Sequence, residues 1–504
     1  DEEDRAACEE AGLTLLSYTE DILARGQESD KEVNAAETED LAFIMYTSGT
    51  TGAPKGVMLS HGNCVAGVAG AWPVLDMVDG GLSNKDRHIS YLPLAHIFEF
   101  VVQLVCIATH MKIMYFGGNV KQLVDDFNAC RPSILVGVPR VFSKMYDRVN
   151  AKLRDEGCIK QWYVNRALTR SSELIREGVR DATYDNKVWK TIAKTLGFDE
   201  VRIVVSGAAP LPPYLAEWLK LVCYKSQICQ GYGLTETTAA SAIVLPGDLT
   251  LGHVGPPCAS VEFKLEDVPE MGYLHTDSCP RGEVCMRGPT VFKGYFKNEE
   301  KTREAIDEDG WFHTGDVGRI NPNGTLSIID RKKNIFKTQM GEYIAAERLE
   351  NTYSKAASVA QFFLYGNSYK AFVVAVVVPD MAWTRHIAKE MKIWGDCEDE
   401  PGTAAFVAHY KQLWAQHGDA LKEAVRADLK QYEGELKGFE KVRDVICETD
   451  IEASGFAFTV DNNLMTPSFK LRRPQLLRQY VEQLKELYAA NGSPPEPSEV
   501  WLPK

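Results

Sequence analysis

The run Tyr46–Gly56 (YTSGTTGAPKG) gathers three glycines, four aliphatic hydroxyls (Thr47, Ser48, Thr50, Thr51) and one lysine, Lys55. Polyphosphate binding needs that mixture. Glycines such as Gly49 and Gly52 let several backbone N–H groups approach one anion, while the hydroxyls and Lys55 add donors and charge. The run is not a Walker A loop. Counting from Gly49, Pro54 stands where that motif needs glycine, and Gly56 follows the lysine in place of Ser or Thr. A flexible surface turn is the plainer alternative, because Gly, Ser and Thr cluster in loops.

Five further segments carry groups of chemical interest. In Gln230–Thr237 (QGYGLTET), Gly231 and Gly233 flank Tyr232, and Thr235, Glu236 and Thr237 follow. An exposed ring stacks on a purine, a hydroxyl bonds phosphate, and a carboxylate among phosphates holds Mg2+; a strand-to-helix turn with capping threonines is the alternative. Ser206–Leu211 (SGAAPL) ends a strand, where Gly207 would let a flat ring lie on the backbone, or would mark a plain junction. Trp311–Gly318 and Ile329–Lys333 flank an expected hairpin with strands Val317–Ile320 and Thr325–Ile329, turning at Asn321–Gly324 (NPNG). Hairpin geometry brings Asp316 and Arg331 together. Such a pair grips the two hydroxyls of a ribose, or forms a surface salt bridge worth about 0–1 kcal/mol. Lys470 follows a Pro-containing turn in Leu464–Arg473 (LMTPSFKLRR), and by itself reads as a solvated surface charge. His96 lies in the apolar stretch Tyr91–Glu99, either as a core histidine or at the mouth of an apolar tunnel.

The elements that must position these groups are written in the apolar pattern. Leu41–Tyr46 reads as a buried strand feeding the glycine loop. Strand-like runs recur at His88–Leu92, Lys112–Phe116, Ser133–Val138 and Arg202–Ser206, separated by helical patterns at Val120–Cys130, Arg140–Arg154 and Trp162–Glu177. That alternation predicts an α/β fold with a largely parallel, doubly covered sheet. Beyond about residue 250, short strands and glycine turns predict a β-rich subdomain. Phe372–Val378 reads as a buried strand, Ala404–Lys437 and Pro474–Ala490 as amphipathic helices. In the last helix Leu477, Tyr480, Val481, Leu484 and Tyr488 share one face.

Composition bounds the function. The 504 residues fit about three domain-sized units, or one large domain and a small one. A net charge of −14 argues against non-specific nucleic-acid binding, which depends on basic surface. The 12 cysteines include no CxxC pair and fit no common zinc spacing, so they read as reduced, mostly buried thiols of a cytosol-facing protein. No run of eighteen apolar residues occurs; the nearest, Val101–Ala108, is too short to span a bilayer.

Taken together and in this order, the segments from Leu41 to Arg473 resemble the AMP-forming adenylating superfamily of acyl-CoA synthetases, luciferases and peptide-synthetase adenylation domains. Asp309–Lys333 is similar to the fatty acyl-CoA synthetase stretch. Gly252–Pro257 (GHVGPP), Asp267–Tyr273 (DVPEMGY) and Pro139–Val149 (PRVFSKMYDRV) are similar to the eukaryotic long-chain branch. The resemblance implies a large adenylation domain of αβ-layered sheets plus a β-rich subdomain over residues 1–331, and a small, mobile α+β domain over 332–504. It implies a ligase joining a long-chain fatty acid to CoA, with ATP and CoA as cosubstrates and Mg2+ as cofactor. The loop Thr47–Lys55 would hold the β- and γ-phosphates, Tyr232, Gly233 and Gly207 the adenine site, and Thr235 the α-phosphate. Glu236 would bind Mg2+, Asp316 and Arg331 the ribose, and Lys470 the α-phosphate and substrate carboxylate. His96 would border the acyl tunnel. Lys333 would be the hinge about which Gly341, Glu342 and the rest of Gly341–Glu350 swing to line the CoA channel.

This chain departs from the pattern twice. Only 45 residues precede Tyr46, where relatives have a substantial subdomain, so the sequence reads as an N-terminally truncated piece lacking any membrane anchor and part of the acyl-binding region. Met340 stands directly before Gly341, where relatives usually have glutamine. A lipid substrate implies peripheral or anchored membrane association, and a location on the cytosolic face of an intracellular membrane such as endoplasmic reticulum, or in the cytoplasm. Two rivals remain: an adenylating enzyme that passes its acyl group to a carrier protein or other acceptor, and a non-catalytic acyl- or nucleotide-binding relative.

Overall fold

The computed structural model describes residues 8–32, 34–47, 54–119, 122–154, 157–176, 179, 181–395, 397–399, 401–466 and 470–495. Its centre is a six-stranded sheet ordered Lys112–Tyr115, Arg87–Ser90, Ile134–Gly137, Ile203–Ser206, Gln227–Tyr232, Ala242–Ile243. Every pairing is parallel except the last. Such strands are apolar on both faces because helices cover both. Leu135, Val204 and Ile228 pack on one side against helices that include Leu123–Cys130, Pro139–Arg154, Cys158–Arg176 and Pro213–Val222. Ile134, Val136, Ile203 and Val205 pack on the other, against His61–Leu75 and Ile97–Ala108. The expected parallel, doubly covered sheet is therefore present. Chain order along it reverses between Arg87–Ser90 and Ile134–Gly137, and open α/β sheets bind ligands outside the carboxyl ends of strands beside such a point.

Two antiparallel sheets accompany the six-stranded one. Lys55–Ser60 runs between Leu41–Thr47 and Gly294–Tyr295, with Thr47 opposite Lys55 and Tyr295 opposite Val57. The glycine run thus lies between two paired strands in sequence, and its residues 48–53, with Ser48, Gly49, Thr50, Thr51 and Gly52, lie outside the described residues. The preceding strand is not buried as expected. Only Met45 is buried, while Leu41 and Tyr46 are exposed, because an edge strand packs a single face. The β-rich subdomain is a sheet ordered Leu326–Arg331, Phe312–Ile320, Arg281–Arg287, Glu262–Glu266. The expected hairpin is its first pair, longer than predicted at both outer ends, and its register sets Asp316 opposite Arg331.

Residues from Ile344 onward build a core of their own around Val359–Tyr365, Val373–Pro379 and Val442–Cys447. Val373–Pro379 is buried at every position. Helix Arg473–Ala490 seats Leu476, Tyr480, Leu484, Leu487 and Tyr488, with Leu477 and Val481 half-buried beside them. Helix Ala404–Lys430 bends at His417 and ends seven residues before the expected Lys437. Beyond Lys430 the chain turns so that Tyr432 and Leu436 fold back on the core, and Gly434 interrupts the helical run. The twelve cysteines form no disulfide; six are buried, five half-buried and Cys158 exposed, so burial is less general than the sequence suggested. Among the described residues no helix is long and apolar enough to cross a membrane.

Candidate functional site

The carboxyl ends of the parallel strands lead directly into the groups singled out from sequence. Tyr232 ends the strand Gln227–Tyr232, and its hydroxyl donates to Asp316 Oδ2 at 2.7 Å. Asp316 Oδ1 lies 3.2 Å from Arg331 Nε, the cross-strand partner. The side chain of Asp316 is 5% exposed and that of Arg331 36%, so the pair is a buried carboxylate on a half-open cation, not a surface bridge. Burial pushes the Asp316 carboxyl up, opposed by Arg331 and the Tyr232 hydroxyl. Asp316 in turn holds the Arg331 guanidinium above its ordinary value.

The turn after Tyr232 is sterically fixed. A Cβ on Gly233 would lie 1.2 Å from the carbonyl oxygen of Ala239, so only glycine fits; on Gly231 the nearest atom is 3.8 Å away. Thr235–Thr237 then form a short 3-10 turn. Thr237 Oγ1 accepts from the Leu234 N–H at 3.0 Å, which is the capping role the sequence offered as an alternative. That role falls to Thr237 and leaves Thr235 and Glu236 half-buried ahead of it. Glu236 Oε1 accepts from the Tyr295 hydroxyl at 2.9 Å, and Lys55 Nζ sits 4.5 Å above the Tyr295 ring. Burial lowers the Lys55 ammonium, while Glu236 raises it. Thr47 Oγ1 donates to the Lys55 carbonyl at 3.4 Å, so both ends of the undescribed loop are anchored here.

Gly207 directly follows the neighbouring strand Ile203–Ser206, and the Phe98 ring lies 3.1 Å from where its Cβ would be. His96 is neither a core histidine nor free. It is half-buried and caps helix Ile97–Ala108, with Nδ1 accepting from the Phe98 N–H at 3.3 Å. Burial, then the charge of Lys470, pushes its ring down to about 4.

Lys470, about 140 residues beyond Arg331 by number, lies near enough to Arg331, Asp316 and Glu236 for their charges to act on it. Much of its surface meets water, yet the protein packed round it and the charge of Arg331 lower its ammonium, while Glu347, Asp316 and Glu236 act in the opposite sense. Its backbone is pinned to Thr466, whose Oγ1 accepts from the Lys470 N–H at 3.0 Å and whose own N–H donates to the Lys470 carbonyl at 2.9 Å. The helix Pro139–Arg154 holds this region: Arg140 reaches Met465 Sδ, and Arg140 and Lys144 lie 4.7 and 4.9 Å from the Phe456 ring centre. The structure thus brings together Lys55, Tyr232, Glu236, Asp316, Arg331, His96 and Lys470.

It does not bring Gly341 and Glu342 to them. These residues are exposed at the turn of the hairpin Ile335–Lys337 and Tyr343–Ala345, where Gly341 adopts φ +88°. Met340 beside them is 74% exposed. Lys333 is exposed in the turn that links Arg331 to that hairpin. Sequence reasoning missed Tyr295 and the buried acids beside the turn. Asp330 accepts from the Arg331 and Glu347 N–H groups at 2.6 and 2.8 Å, and burial pushes it up to about 7. Glu350 pairs with Arg473 at 2.6 Å. Only the alternation of the strand and the helix period could have signalled these two acids, and neither marks charge. A separate row, Glu266, Cys285 and His313, has metal-ligating types, but Lys264 lies 3.9 Å from Glu266 and 3.5 Å from Asp307 and meets their charge.

A protein-family profile described as "AMP-binding enzyme" matches residues 2–296. Fatty acyl-CoA synthetase A of Dictyostelium discoideum is 42% identical over 483 residues, 95% of this chain and 68% of that protein. Long chain acyl-CoA synthetase 3 of Arabidopsis thaliana is 39% identical over 97% of this chain and 70% of its own length. Among solved structures, the adenylation domain of a carboxylate reductase from Mycobacterium chelonae superposes with a TM-score of 0.74 at 29% identity, over 96% of this chain and 66% of that one.

Gly233→Ala should disrupt the 234–239 turn and lower thermal stability by several degrees, whereas Gly231→Ala should stay within about 1 kcal/mol of the parent in denaturant melts. His96 is held below its ordinary value, so it favours the folded state when neutral. That contribution is full above the ordinary 6.5 and is lost as pH falls towards about 4. His96→Asn, which keeps a capping acceptor, should therefore flatten the fall in Tm over that window.

Proposed function

The chain belongs to the AMP-binding enzyme family, and on that premise we propose how its cleft works. The protein is an AMP-forming long-chain fatty acid–CoA ligase with ATP and CoA as cosubstrates. In the first half-reaction a carboxylate oxygen of the fatty acid bonds to the α-phosphorus of ATP as the bond to pyrophosphate breaks. In the second, the sulfur of CoA bonds to the acyl carbon, the bond to AMP breaks, and the thiol proton leaves to solvent. The observation that carries this reading is convergence: Lys470, from the far end of the chain, shares one electrostatic neighbourhood with Glu236, Asp316 and Arg331.

Each group then has a task. Tyr232, Gly207 and Gly233 bound the adenine site, and Asp316 with Arg331 hold the ribose. Thr235 contacts the α-phosphate. The loop from Thr47 to Lys55 takes the β- and γ-phosphates. Lys470 neutralises charge that grows on the phosphorus in flight, electrostatic work best done by a fixed donor in a crowded cleft. Burial and Arg331 lower its ammonium, and the flanking carboxylates Glu347, Asp316 and Glu236 oppose that shift. Glu236 fits Mg2+ by donor type, since a hard cation prefers carboxylate oxygen and one oxygen already has its partner in Tyr295. Bound there, the ion would offset phosphate charge. His96 borders the entry for the acyl chain.

Thioester formation needs Lys470 withdrawn. We assign residues 332–504 to a domain that rotates about Lys333 and carries Gly341 and Glu342 to the CoA channel; such steps often limit turnover. The substrate is a lipid, so we place the enzyme at the cytosolic face of an intracellular membrane such as endoplasmic reticulum, peripherally held, or in the cytoplasm.

Purified protein given ATP, Mg2+ and palmitate should release AMP in step with palmitoyl-CoA only when CoA is added. Adenylate without a CoA-dependent thioester would favour another acyl acceptor, and no pyrophosphate exchange would overturn the reading. Lys470→Ala should slow adenylation about 10²–10³-fold and spare transfer from preformed acyl-AMP. Lys333→Pro should do the reverse.

A further inference from the structure

Tyr295 stands between the two charged groups that face the polyphosphate and belongs to neither of their segments. It is 6% exposed. Its strand, Gly294–Tyr295, pairs with Lys55–Ser60 so that Tyr295 lies opposite Val57, two residues from Lys55. Its ring is the surface beneath Lys55 Nζ, 4.5 Å from the centre, and its hydroxyl donates to Glu236 Oε1 at 2.9 Å. One side chain therefore touches the lysine with its face and the carboxylate with its tip.

The ring is held from behind. Thr302 Oγ1 accepts from the Tyr295 N–H at 2.9 Å, and the Phe292 ring packs 4.8 Å from it and 5.5 Å from Phe312. The Phe292 N–H donates to the Glu236 carbonyl at 2.8 Å, so the backbone of Glu236 is tied to the segment that carries Tyr295. Gly294, at φ +134°, lets the chain pass Thr302, whose methyl would lie 2.7 Å from a Cβ there.

We propose that Tyr295 is a positioning residue that fixes Glu236 for a divalent cation and Lys55 for the polyphosphate. A carboxylate whose Oε1 is engaged presents Oε2 in a set direction and loses less rotational freedom when a cation binds. A cation over an aromatic face is attracted by the ring's quadrupole, and more strongly where water is excluded. That attraction offsets the burial that lowers the Lys55 ammonium. The two halves of the residue separate: the hydroxyl serves the metal, the ring serves the lysine. The inference rests on the adenylating reading above.

The test is equilibrium binding, without turnover. Binding of α,β-methylene ATP is followed calorimetrically, and Mn2+ binding to the resulting complex by electron paramagnetic resonance. Tyr295→Phe should weaken Mn2+ about tenfold and leave the nucleotide, measured without metal, within about twofold. Tyr295→Leu, which also removes the ring, should weaken the nucleotide as well. Unchanged Mn2+ affinity in Tyr295→Phe would overturn the proposal. So would collapse of its circular dichroism, which would make the tyrosine a packing residue. Failure of the parent protein to bind the analogue would instead strike at the adenylating reading itself.

Discussion

A buried carboxylate sets the terms for this cleft. Asp316 is nearly closed to water and is tolerated there because Arg331 faces it across a hairpin and the Tyr232 hydroxyl meets its other oxygen. An uncompensated charge in that position would cost several kcal/mol. Compensation requires three elements in register: both strands of the hairpin and the end of a parallel strand from another sheet. The β-rich subdomain is thus locked by a polar contact to the end of Gln227–Tyr232, an inner strand of the six-stranded sheet, where the parallel strands present their carboxyl ends.

From that anchor the rest follows by proximity. The strand ending at Tyr232 continues into a turn that only Gly233 can make, and the turn delivers Glu236. Tyr295, from the third strand of the small antiparallel sheet, ties Glu236 to Lys55. Lys470 completes the ring of charge from a separate core, its strand-like neighbourhood held against Arg140 and Lys144. The seven converging side chains come from six separate stretches of the chain, Tyr232 and Glu236 alone sharing one. That division suits a reaction in two halves, since a group borne on a separate core can be withdrawn without unmaking the nucleotide site.

Much of this was legible in the sequence, for physical reasons that differ by element. The hairpin was readable because Asn321–Gly324 is strong turn chemistry between apolar alternations, and its geometry forces Asp316 beside Arg331. The parallel sheet was readable because strands covered on both faces are continuously apolar. Leu41–Thr47 misled for the same reason: an apolar run does not reveal whether one face or two will be covered. The cap made by His96 was not foreseen, because histidine is not among the preferred capping residues. Lys470 owed its place to resemblance, since spacing offers no reason to join it to Asp316. Tyr295 had no signal at all: its partners, Glu236 and Lys55, lie far from it in sequence, and only strand pairing brings them together. Residues 48–53 lie outside the described residues, and the proposal that they bind phosphate stands on their residue types and on the contact between Thr47 and Lys55.

The claim on which the account turns is that Asp316, in its buried setting, holds the ribose of an adenylate. A double-mutant cycle tests it directly, measuring affinity for a palmitoyl-sulfamoyl adenosine and its 2′,3′-dideoxy counterpart in the parent protein and in Asp316→Asn. The account predicts a loss of about 1–3 kcal/mol on removing either partner, and little further loss when both are removed, because one interaction is deleted twice. Independent, additive losses, or an unchanged affinity on removing the hydroxyls, would contradict it.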